Sequence, residues 1–477
     1  SDVGGDGCLS EEMKCDGKDD DCDGETDENL TKKCPLQEGV CSGVEVECAG
    51  GKYFKCDKST YRTHNSDYEV EERTLDKVDN DCDGRVDNPP FTTLFGTKNQ
   101  ENNWPAGSSL AFDSKKGQIY VAYDTKTSGP KGRIVKVQRV KTTGSPDTEI
   151  HRDDNVRRNR GVDFANGAFY VGYPRISGKA MAIGVYKYKR DGSEDWSITP
   201  LTIPSSTRKH IIRDLAVNPS TKNVYLGGIF NDGDPHVYLR SHADDESKRF
   251  GFKKQISGGI NGVAVNPSSK TVYVVGNTRD DMYGEKNPGA VSVFLSKFDA
   301  QGNHVWTKII GGNKRQFGQR VLINEKTDTI YVVGVTKQGF GGKSYSGGSS
   351  DGFIAAFDNI GQQKWLDING TSKRDGYQAA DLREEDGSIF VVGRSGGKLG
   401  GKTNKGKNDV AVVRYSKKGK KMSTRLFGTG DFERGTDILV DQETNDVYVT
   451  GHTQGDLDCS SCNQGGKDIF LKRLKIE

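Results

Sequence analysis

A short strand-turn-strand phrase, with two apolar runs around a polar turn, recurs seven times after residue 105. In each copy, two runs rich in β-branched and aromatic residues flank a turn such as Asn-Pro, Lys-Gly or Asp-Gly, which is the pattern of a β-hairpin. The copies begin at Leu110, Gly161, Asp214, Gly262, Arg320, Ala379 and Asp437. Each second run contains an aromatic residue, and the seven are Tyr120, Tyr170, Tyr225, Tyr273, Tyr331, Phe390 and Tyr448. Successive aromatics are 48 to 59 residues apart, an interval that holds four strands.

Two more strands follow most of the hairpins. A Gly-rich loop leads to a third strand, as in DGFIAAFD from Asp351, and a fourth strand often opens with an aromatic residue, as in KWLDINGT around Trp365. The last copy ends after its third strand, whereas residues 91–96 look like a fourth strand with no third strand before it. Pairing of these two segments closes a ring and covers its open edges. The sequence therefore predicts an all-β fold, with a seven-bladed β-propeller over residues 91–477 that is closed by the N-terminal strand 91–96.

The repeat also resembles the SBBP family, a seven-bladed β-propeller repeat of secreted and surface proteins. Residues 262–477 match its pattern of VYVTG, D-F-V-K-Y-D, G-x-x-x-W and a Gly-Gly close, and blades one to three match more loosely. The resemblance implies a propeller outside the cell or on its surface, and it supplies no catalytic residues.

Composition changes near Asn88-Pro89-Pro90, where two prolines discourage a continuous element. Residues 1–90 carry 25 acidic and 11 basic side chains, a net charge of −14, whereas residues 91–477 carry +16. Eight of the ten cysteines also lie in the first part, and these are Cys8, Cys15, Cys22, Cys34, Cys41, Cys48, Cys56 and Cys82. We therefore expect two domains, an acidic, Cys-rich, metal-binding module at 1–90 and the propeller at 91–477.

The chain contains neither a membrane-spanning pattern nor a targeting pattern. No apolar run approaches the roughly 18 to 20 residues of a spanning helix, and the first residues lack the basic and apolar regions of a signal peptide. Ten cysteines suit an oxidising compartment better than the cytosol. We expect an extracellular or cell-surface protein whose export is inferred from its cysteines.

Two acidic loops repeat one motif 60 positions apart. Residues 16–28 read DGKDDDCDGETDE and residues 76–88 read DKVDNDCDGRVDN. Both contain DxDxDGxxD, which places carboxylates at loop positions 1, 3, 5 and 9 around a glycine, an arrangement that wraps oxygen atoms around Ca²⁺. The predicted ligands are Asp19, Asp21, Asp23 and Asp27, then Asp79, Asp81, Asp83 and Asp87, with the backbone carbonyls of Glu25 and Arg85 at position 7. We therefore expect two Ca²⁺ sites.

The loops depart from an EF-hand at position 12, where Leu30 and Pro90 replace a bidentate glutamate. They resemble the calcium loops of thrombospondin type 3 repeats. They resemble more closely the "putative metal-binding motif" of bacterial surface proteins, CDGxDDDCDGxxDE, which matches Cys15 to Glu28 almost letter for letter. A namesake of that family binds copper, but copper sites favour His, Cys or Met, and this region has one histidine, His64. Oxygen ligands favour Ca²⁺, and the alternative is a solvated acidic surface.

The N-terminal cysteines are expected to be structural, because ninety residues with few large aliphatic side chains bury little core. Cys15 and Cys22 bracket the first loop and are plausible partners. The second loop has Leu75 in place of Cys15, which leaves Cys82 to pair elsewhere, for example with Cys56. Spacing alone leaves the connectivity open.

Near the C-terminus, Cys459 and Cys462 form a Cys-Ser-Ser-Cys pair. A local disulfide is expected there in preference to a zinc site, which needs two more soft ligands and has only His452 as an obvious neighbour. The histidines are scattered and are mostly expected in loops or on the surface; they are His64, His151, His210, His236, His242, His304 and His452.

Common catalytic motifs are absent: the sequence has no HExxH, no GxSxG elbow between a strand and a helix, no P-loop and no GxGxxG after a strand. We therefore expect no enzyme. The alternative is a propeller enzyme whose site is assembled in the central channel from distant residues. Clustering of polar first-strand residues would favour that alternative, and the candidates are Asp163, Asp214, Arg213 and Asp381.

Taken together, the two halves predict an extracellular structural or adhesive protein in which a calcium-stiffened module presents a propeller. The opposite charges of the halves favour head-to-tail assembly into a filament, with other copies, surface proteins or polysaccharide as partners and no nucleic acid or membrane span. Two Asn-x-Thr sequons, at Asn29 and Asn369, offer glycosylation sites in a eukaryotic host.

A second hypothesis is a glycan-binding module. Three loops join second to third strands and so share one propeller face, starting at Gly341, Ser395 and Gln454. Lysines make that face basic and suited to an acidic polysaccharide, and they are Lys343, Lys398, Lys402, Lys405, Lys407 and Lys467. The alternative is an ordinary solvated rim.

Overall fold

A small, loop-rich unit and a larger β-sheet unit make up the computed structural model, and they divide between Pro90 and Phe91. The structure describes residues 8–70, 77–82, 84, 91–95, 110–126, 133–141, 144–156, 161–177, 180–204, 211–231, 235–242, 253–256, 258–458, 463 and 466–475. Within these ranges, no helix is long and apolar enough to cross a membrane.

Three short strands and one helix form the framework of the N-terminal unit. They are β1 (Thr31–Lys33), β2 (Glu45–Ala49), β3 (Lys52–Tyr53) and α1 (Lys58–His64), with a 3₁₀ turn at Gly39–Cys41. The strands form one antiparallel sheet in the order β1-β2-β3. Asp57 begins α1, because its carboxylate accepts the backbone N–H groups of Ser59 and Thr60. The apolar core is small and includes Val44, Val46, Tyr61 and Tyr68.

Four disulfides supplement that small core. They join Cys8 to Cys22, Cys15 to Cys48, Cys34 to Cys56 and Cys41 to Cys82. The predicted pairing of Cys15 with Cys22 is wrong. The backbone after Cys15 packs against the β2–β3 turn, where a Cβ atom on Gly17 would lie 3.6 Å from the Cα of Gly51. This contact brings Cys15 to Cys48, at the end of β2.

The suggested pairing of Cys82 with Cys56 is also wrong. The second acidic loop packs on the 3₁₀ turn, where the Val40 N–H donates to the Asp79 carbonyl at 3.1 Å. Gly39 permits this close approach, because a Cβ atom there would lie 2.0 Å from the same carbonyl oxygen. Cys41 therefore becomes the partner of Cys82. Cys459 and Cys462 lie outside the described residues.

The larger unit is built from four-stranded antiparallel sheets. The strands are β4 (Thr92–Phe95), β5 (Leu110–Asp113), β6 (Gln118–Lys126), β7 (Arg133–Lys141), β8 (Pro146–Val156), β9 (Gly161–Ala165), β10 (Ala168–Ser177), β11 (Ala180–Lys189), β12 (Glu194–Pro204), β13 (Ile211–Val217), β14 (Val224–Asn231), β15 (Pro235–His242), β16 (Lys253–Ile256), β17 (Gly259–Val265), β18 (Val272–Thr278), β19 (Ser292–Phe298), β20 (His304–Ile310), β21 (Gln316–Asn324), β22 (Thr329–Thr336), β23 (Asp351–Phe357), β24 (Gln363–Asn369), β25 (Gly376–Arg383), β26 (Ser388–Ser395), β27 (Asp409–Tyr415), β28 (Lys421–Phe427), β29 (Arg434–Val440), β30 (Val447–Thr453) and β31 (Asp468–Leu474). A second 3₁₀ turn spans Ser114–Lys116.

From β5 onward, each group of four consecutive strands forms one blade, and a pairing between β8 and β10 links blades 1 and 2 into one sheet. The first strands of neighbouring blades contact one another in the order β5, β9, β13, β17, β21, β25, β29 and back to β5. The described strands thus form seven blades in a closed ring, which confirms the predicted propeller.

Strand β4 completes blade 7. It runs antiparallel to β31, with Phe95 opposite Ile469 and Thr92 opposite Lys472. This is the pairing that the sequence predicts for the segment before the first hairpin. The seam is also bonded at the channel, where the Leu110 N–H of blade 1 donates to Asp437 of blade 7 at 2.9 Å.

Aromatic residues fill the spaces between blades. The seven repeat aromatics are all buried, at most 2% exposed: Tyr120, Tyr170, Tyr225, Tyr273, Tyr331, Phe390 and Tyr448. Two tryptophans in fourth strands also link blades through hydrogen bonds. The Nε1–H of Trp306 donates to the Asn359 carbonyl at 3.0 Å, and that of Trp365 donates to the Lys417 carbonyl at 3.1 Å.

Ring closure is tested by comparing two N-terminal deletions. Removing residues 1–88 keeps β4, whereas removing residues 1–97 exposes the edge of β31 and deletes the buried side chain of Phe95. Loss of these contacts should lower the melting temperature of the propeller by on the order of 10 °C relative to the shorter deletion. Tryptophan fluorescence measures the melting temperature of the propeller, because all four tryptophans lie after residue 91. Equal melting temperatures would contradict closure.

Candidate functional site

The first acidic loop gathers three of its predicted ligands. Candidate oxygen atoms of Asp19, Asp21 and Asp23 all lie within 4.8 Å of one another. The loop turns on Gly24, whose φ of 96° is left-handed and whose N–H donates to Asp19 Oδ2 at 3.1 Å. Glu25, predicted to contribute its carbonyl, is exposed and donates its own N–H to Asp23 at 2.9 Å. The turn therefore converges carboxylates as a metal loop requires.

Asp27, predicted as the ligand at position 9, has different contacts. Its side chain is 1% exposed, and its carboxylate accepts the backbone N–H groups of Asp16, Gly17 and Gly51 at 2.8 to 3.1 Å. The hydrogen bond from Gly17, followed by those from Gly51 and Asp16, holds the pKa of Asp27 below its ordinary value despite desolvation. Asp27 thus joins the loop to the β2–β3 turn.

Two glutamates outside the nine-residue motif complete the acidic cluster. Oxygen atoms of Glu12, Asp21 and Glu28 lie within 4.8 Å of one another, so Asp21 belongs to both groups. Glu12 is 7% exposed, and its Oε1 accepts the Asp20 N–H at 2.7 Å. Three oxygen atoms in this cluster are inaccessible and have no hydrogen-bond partner: Glu12 Oε2, Asp19 Oδ1 and Glu28 Oε2. Unpaired carboxylate oxygens at such a site match the donors that a hard cation needs.

Charge repulsion within the cluster is visible at Glu28. A hydrogen bond from its own backbone lowers its pKa, but desolvation and the nearby carboxylates outweigh that effect. The pKa of Glu28 is therefore raised, with Asp21, Asp23 and Glu12 as the repelling charges. A bound cation would relieve this repulsion.

The second loop repeats the backbone of the first. Residues 17, 22 and 24 have left-handed φ values, and so do residues 77, 82 and 84. Asp79 Oδ2 accepts the Gly84 N–H at 2.7 Å, as Asp19 does with Gly24. Asp79 and Asp81 are buried. The other residues predicted at this site, Asp83, Arg85 and Asp87, lie outside the described residues.

Glu12 was missed because the prediction considered only the nine-residue motif. The signal that identifies it is the 60-residue displacement: Glu11 and Glu12 recur as Glu71 and Glu72. Glu28 has Asn88 at the corresponding position, so the repeat does not single it out.

A second polar cluster lies in the propeller channel. Bulges shift the register of five first strands, between residues 212/214, 260/262, 318/320, 377/379 and 435/437. A bulge re-aims the residues that follow it. Three of the re-aimed positions are charged: Asp214, Arg320 and Asp437. The Arg320 guanidinium lies 3.0 Å from Asp214 Oδ1 and 3.6 Å from Asp437 Oδ1. One arginine thus joins blades 3, 5 and 7 across the channel.

Asp163 and Asp381 line the same cavity of about 480 Å³. Three of the four residues whose clustering would favour a channel enzyme are therefore brought together, whereas Arg213 is not among the described residues of the lining. Arg320 and Asp437 were missed, although both stand first in their repeat copies. These two residues converge only in the closed ring, so no short-range spacing in the sequence indicates that they meet.

The channel carboxylates connect neighbouring blades. Asp163 accepts the N–H of Val217 in the next blade at 2.7 Å. Asp381 accepts the N–H of Val440 at the same distance. In both residues the other oxygen accepts the N–H of the following residue, Phe164 or Leu382. Since both oxygens are occupied by backbone donors, these side chains are tied into the framework.

Burial changes the pKa values of the channel groups. Desolvation raises the pKa of Asp163 to about 7 and that of Asp381 to about 6, although backbone hydrogen bonds oppose the change. Desolvation alone lowers the pKa of Arg320, but Asp214 and Asp437 raise it by more. The guanidinium therefore stays charged.

The structure corrects the expectation for one sequon and shows two exceptions among the histidines. Asn369 is 9% exposed, and its amide donates to the Tyr377 hydroxyl at 2.7 Å, so this sequon is inaccessible in the folded chain. His151 and His452 are buried, not on the surface. The imidazole of His151 makes hydrogen bonds to the hydroxyls of Tyr173 and Tyr188.

One family model matches the N-terminal unit at both acidic loops. Its description is "Putative metal-binding motif", its name refers to copper binding, and it covers residues 11–28 and 68–88. The chain carries a metal-binding motif twice. Both matches include the glutamate pairs at residues 11–12 and 71–72, and the first also includes Glu28.

Solved propeller-like structures resemble the larger unit at low identity. Sqt1 from Chaetomium thermophilum is 10% identical with a TM-score of 0.44, covering 79% of this chain and 95% of that one. The periplasmic gluconolactonase of Pseudomonas aeruginosa is 11% identical with a TM-score of 0.41, covering 68% and 85%. The GH93 α-L-arabinofuranosidase of Fusarium graminearum is 8% identical with a TM-score of 0.38, covering 80% and 98%. None of the curated proteins matches the chain.

The raised pKa values predict a pH dependence of stability. The folded propeller holds protons on Asp163 and Asp381 more tightly than the unfolded chain, whose aspartates ionise near pH 4. These groups should therefore reduce the free energy of unfolding as the pH rises from about 4 to about 7, with no further loss above that range. Urea unfolding at a series of pH values, monitored by tryptophan fluorescence, measures this free energy. Asp163→Asn with Asp381→Asn should flatten the slope, whereas Glu384→Gln with Glu385→Gln, at exposed positions, should leave it unchanged. Equal slopes would contradict the assignment.

Proposed function

We propose that this chain is a secreted or cell-surface structural protein, in which a calcium-binding module presents a β-propeller as an interaction surface. The observation that carries the proposal is the acidic cluster around Asp21, with its three unpaired carboxylate oxygens, in a unit held by four disulfides. Four disulfides are typical of an oxidising compartment, extracellular or periplasmic. A small unit that relies on disulfides and ions in place of a large core is suited to mechanical stiffness.

The donor set supports Ca²⁺ over copper. Carboxylate oxygens from Glu12, Asp19, Asp21, Asp23 and Glu28 are available, and Ca²⁺ takes six to eight oxygen ligands. The eight N-terminal cysteines are in disulfides and supply no thiolate. His64, on α1, donates a hydrogen bond from Nε2 to the Ser42 carbonyl at 3.1 Å. Soft ligands for copper are therefore not part of the described cluster.

We assign no catalytic role to the channel cluster. Asp163 and Asp381 use both oxygens on backbone donors, and Asp214 and Asp437 pair with Arg320. A general acid or base needs an oxygen that is free to reach a substrate. The hydrogen bonds and ion pairs instead support a framework role in holding the blades together.

Calcium binding is tested by calorimetric titration of the EDTA-treated full chain. We expect two Ca²⁺ ions, one for each loop. Glu12→Gln or Asp21→Asn should weaken the first site by roughly tenfold or more, because each removes a charged ligand from a crowded site. Glu11→Gln is the matched control, since Glu11 is an exposed neighbour with the same charge.

Asp27→Asn separates ligands from framework residues. It should lower the melting temperature of the module while leaving two ions bound, because Asp27 serves backbone N–H groups. Tight copper binding without a calcium signal would overturn the calcium assignment, and so would an unchanged first site in both Glu12→Gln and Asp21→Asn.

Head-to-tail assembly is the second part of the proposal, and the charges of −14 and +16 on the two units support it. Opposite potentials steer encounters between copies, and a heterologous contact propagates into a filament unless its rotation closes a ring. Two bound Ca²⁺ ions would leave the module at about −10, still acidic. Light scattering should show concentration-dependent assembly at low salt with Ca²⁺, and dissolution at high salt as exposed charges are screened. A monomer under the first condition would contradict assembly.

A further inference from the structure

A basic cluster lies where blade 7 meets blade 6. Arg434 on β29 is directly opposite His452 on β30, so their side chains share one face of blade 7. Arg394 is on β26, and the residues just before it pack against the start of β29. A Cβ atom on Gly435 would lie 2.3 Å from Val392 Cγ2 and 3.3 Å from the Gly393 carbonyl. The backbone thus brings Arg394, Arg434 and His452 to one boundary.

His452 is buried, Arg394 and Arg434 are half-buried, and each of the three has an inaccessible nitrogen without an acceptor. His452 is 7% exposed, and its Nδ1 has no hydrogen-bond partner. The Nε atoms of Arg394 and Arg434 are likewise inaccessible and unpartnered. Arg434 does donate through Nη2 to Gln378 Oε1, a neutral acceptor. Buried donors of this kind are normally paired, and an unpaired buried charge is costly.

The nearby carboxylate, Asp375, is already occupied. One oxygen accepts the hydroxyl of Ser395, and the other accepts the N–H and hydroxyl of Thr371 at 2.7 Å. Among the described residues, no acid forms a salt bridge with Arg394 or Arg434. In the described part of the chain, Asp375 acts on Arg394 only as a nearby charge, and no ion pair balances either arginine.

The pKa values agree with this surplus of positive charge. Desolvation, then repulsion from Arg374, lowers the pKa of Arg394 to about 10. Desolvation, then Arg394 and Arg374, lowers the pKa of Arg434 well below its ordinary value. Desolvation, then Arg434, lowers the pKa of His452 to about 3, so the imidazole is neutral at physiological pH.

We propose that Arg394, Arg434 and His452 form a binding site for an oxyanion, a carboxylate or a sulfate, at the boundary between blades 6 and 7. Guanidinium groups match the geometry of oxyanions, and a neutral imidazole donates through whichever nitrogen carries the proton. Such a group comes either from an acidic saccharide or from a free anion. The loop after β26 favours a saccharide, because Lys398, Lys402 and Lys405 are exposed on it. This inference is independent of the calcium module.

The test uses the full chain. Isothermal calorimetry with sodium glucuronate and with sodium sulfate, each against sodium chloride at equal ionic strength, should show one site. Arg434→Met and Arg394→Met should each weaken binding at least tenfold. Lys418→Met removes the same charge from an exposed position in the turn between β27 and β28 and should leave affinity within twofold. A glucuronate tetramer that binds more tightly than glucuronate assigns the anion to a saccharide, and equal affinities assign it to the free ion.

Thermal unfolding gives a second readout that does not depend on calorimetric heat. Sulfate also stabilises proteins by exclusion from their surface, so the informative quantity is the difference between variants. Sulfate should raise the melting temperature of the wild type more than that of Arg434→Met. In chloride, Arg434→Met should be at least as stable as the wild type, because it removes an uncompensated charge.

If Arg434→Met does not fold, Arg434→Lys, which keeps the charge but loses the planar fork, should show the same loss of affinity. Equal sulfate shifts in wild type and variant, or no heat with either anion, would overturn the proposal.

Discussion

Closure of the ring by β4 is the contact on which the larger unit depends. Neighbouring blades are held by side-chain packing and by hydrogen bonds at their boundaries, such as that from the Glu433 N–H to the Asn408 carbonyl. An open ring would leave β31 as an unpaired edge. It would also separate Asp437 of blade 7 from Leu110 of blade 1 and remove the aromatic packing of Tyr448 against Phe91 and Phe112. The convergence of charges in the channel exists only because all seven first strands face one axis.

The same strand, β29, takes part in two opposite electrostatic arrangements. At Asp437 the charge is balanced, since Arg320 reaches it from blade 5 and the Leu110 N–H supports it. At Arg434, three residues earlier, no acid among the described residues forms an ion pair with the guanidinium, and desolvation lowers its pKa. A buried charge compensated within the chain contributes to the framework, whereas one left uncompensated indicates a missing partner. By this criterion the channel cluster around Arg320 is part of the framework, and the basic cluster around Arg434 is a candidate binding site.

Local patterns predicted the fold, and long-range packing decided the sites. Hairpins, turns and the repeat aromatics are readable because each is specified within about fifteen residues. The disulfide pairing could not be predicted from local patterns, since Cys15 reaches Cys48 only after the loop packs on Gly51. The metal loop was half predicted: Asp19, Asp21 and Asp23 converge, while Asp27 serves the backbone and Glu12 enters from outside the motif. Arg320 and Arg394 carry no local motif, because the residues they meet come from other blades.

The pairing of β4 with β31 has a consequence for biosynthesis. Thr92–Phe95 emerges from the ribosome before its partner, Asp468–Leu474, which is translated more than 370 residues later. Blades 1 to 6 can form in order from contacts nearby in sequence, but β4 has no partner until blade 7 has been translated. Contacts of such large sequence separation form slowly, and an exposed strand is prone to pair with other chains in the meantime. Crowded polysomes therefore pose a greater hazard to this chain than dilute refolding does.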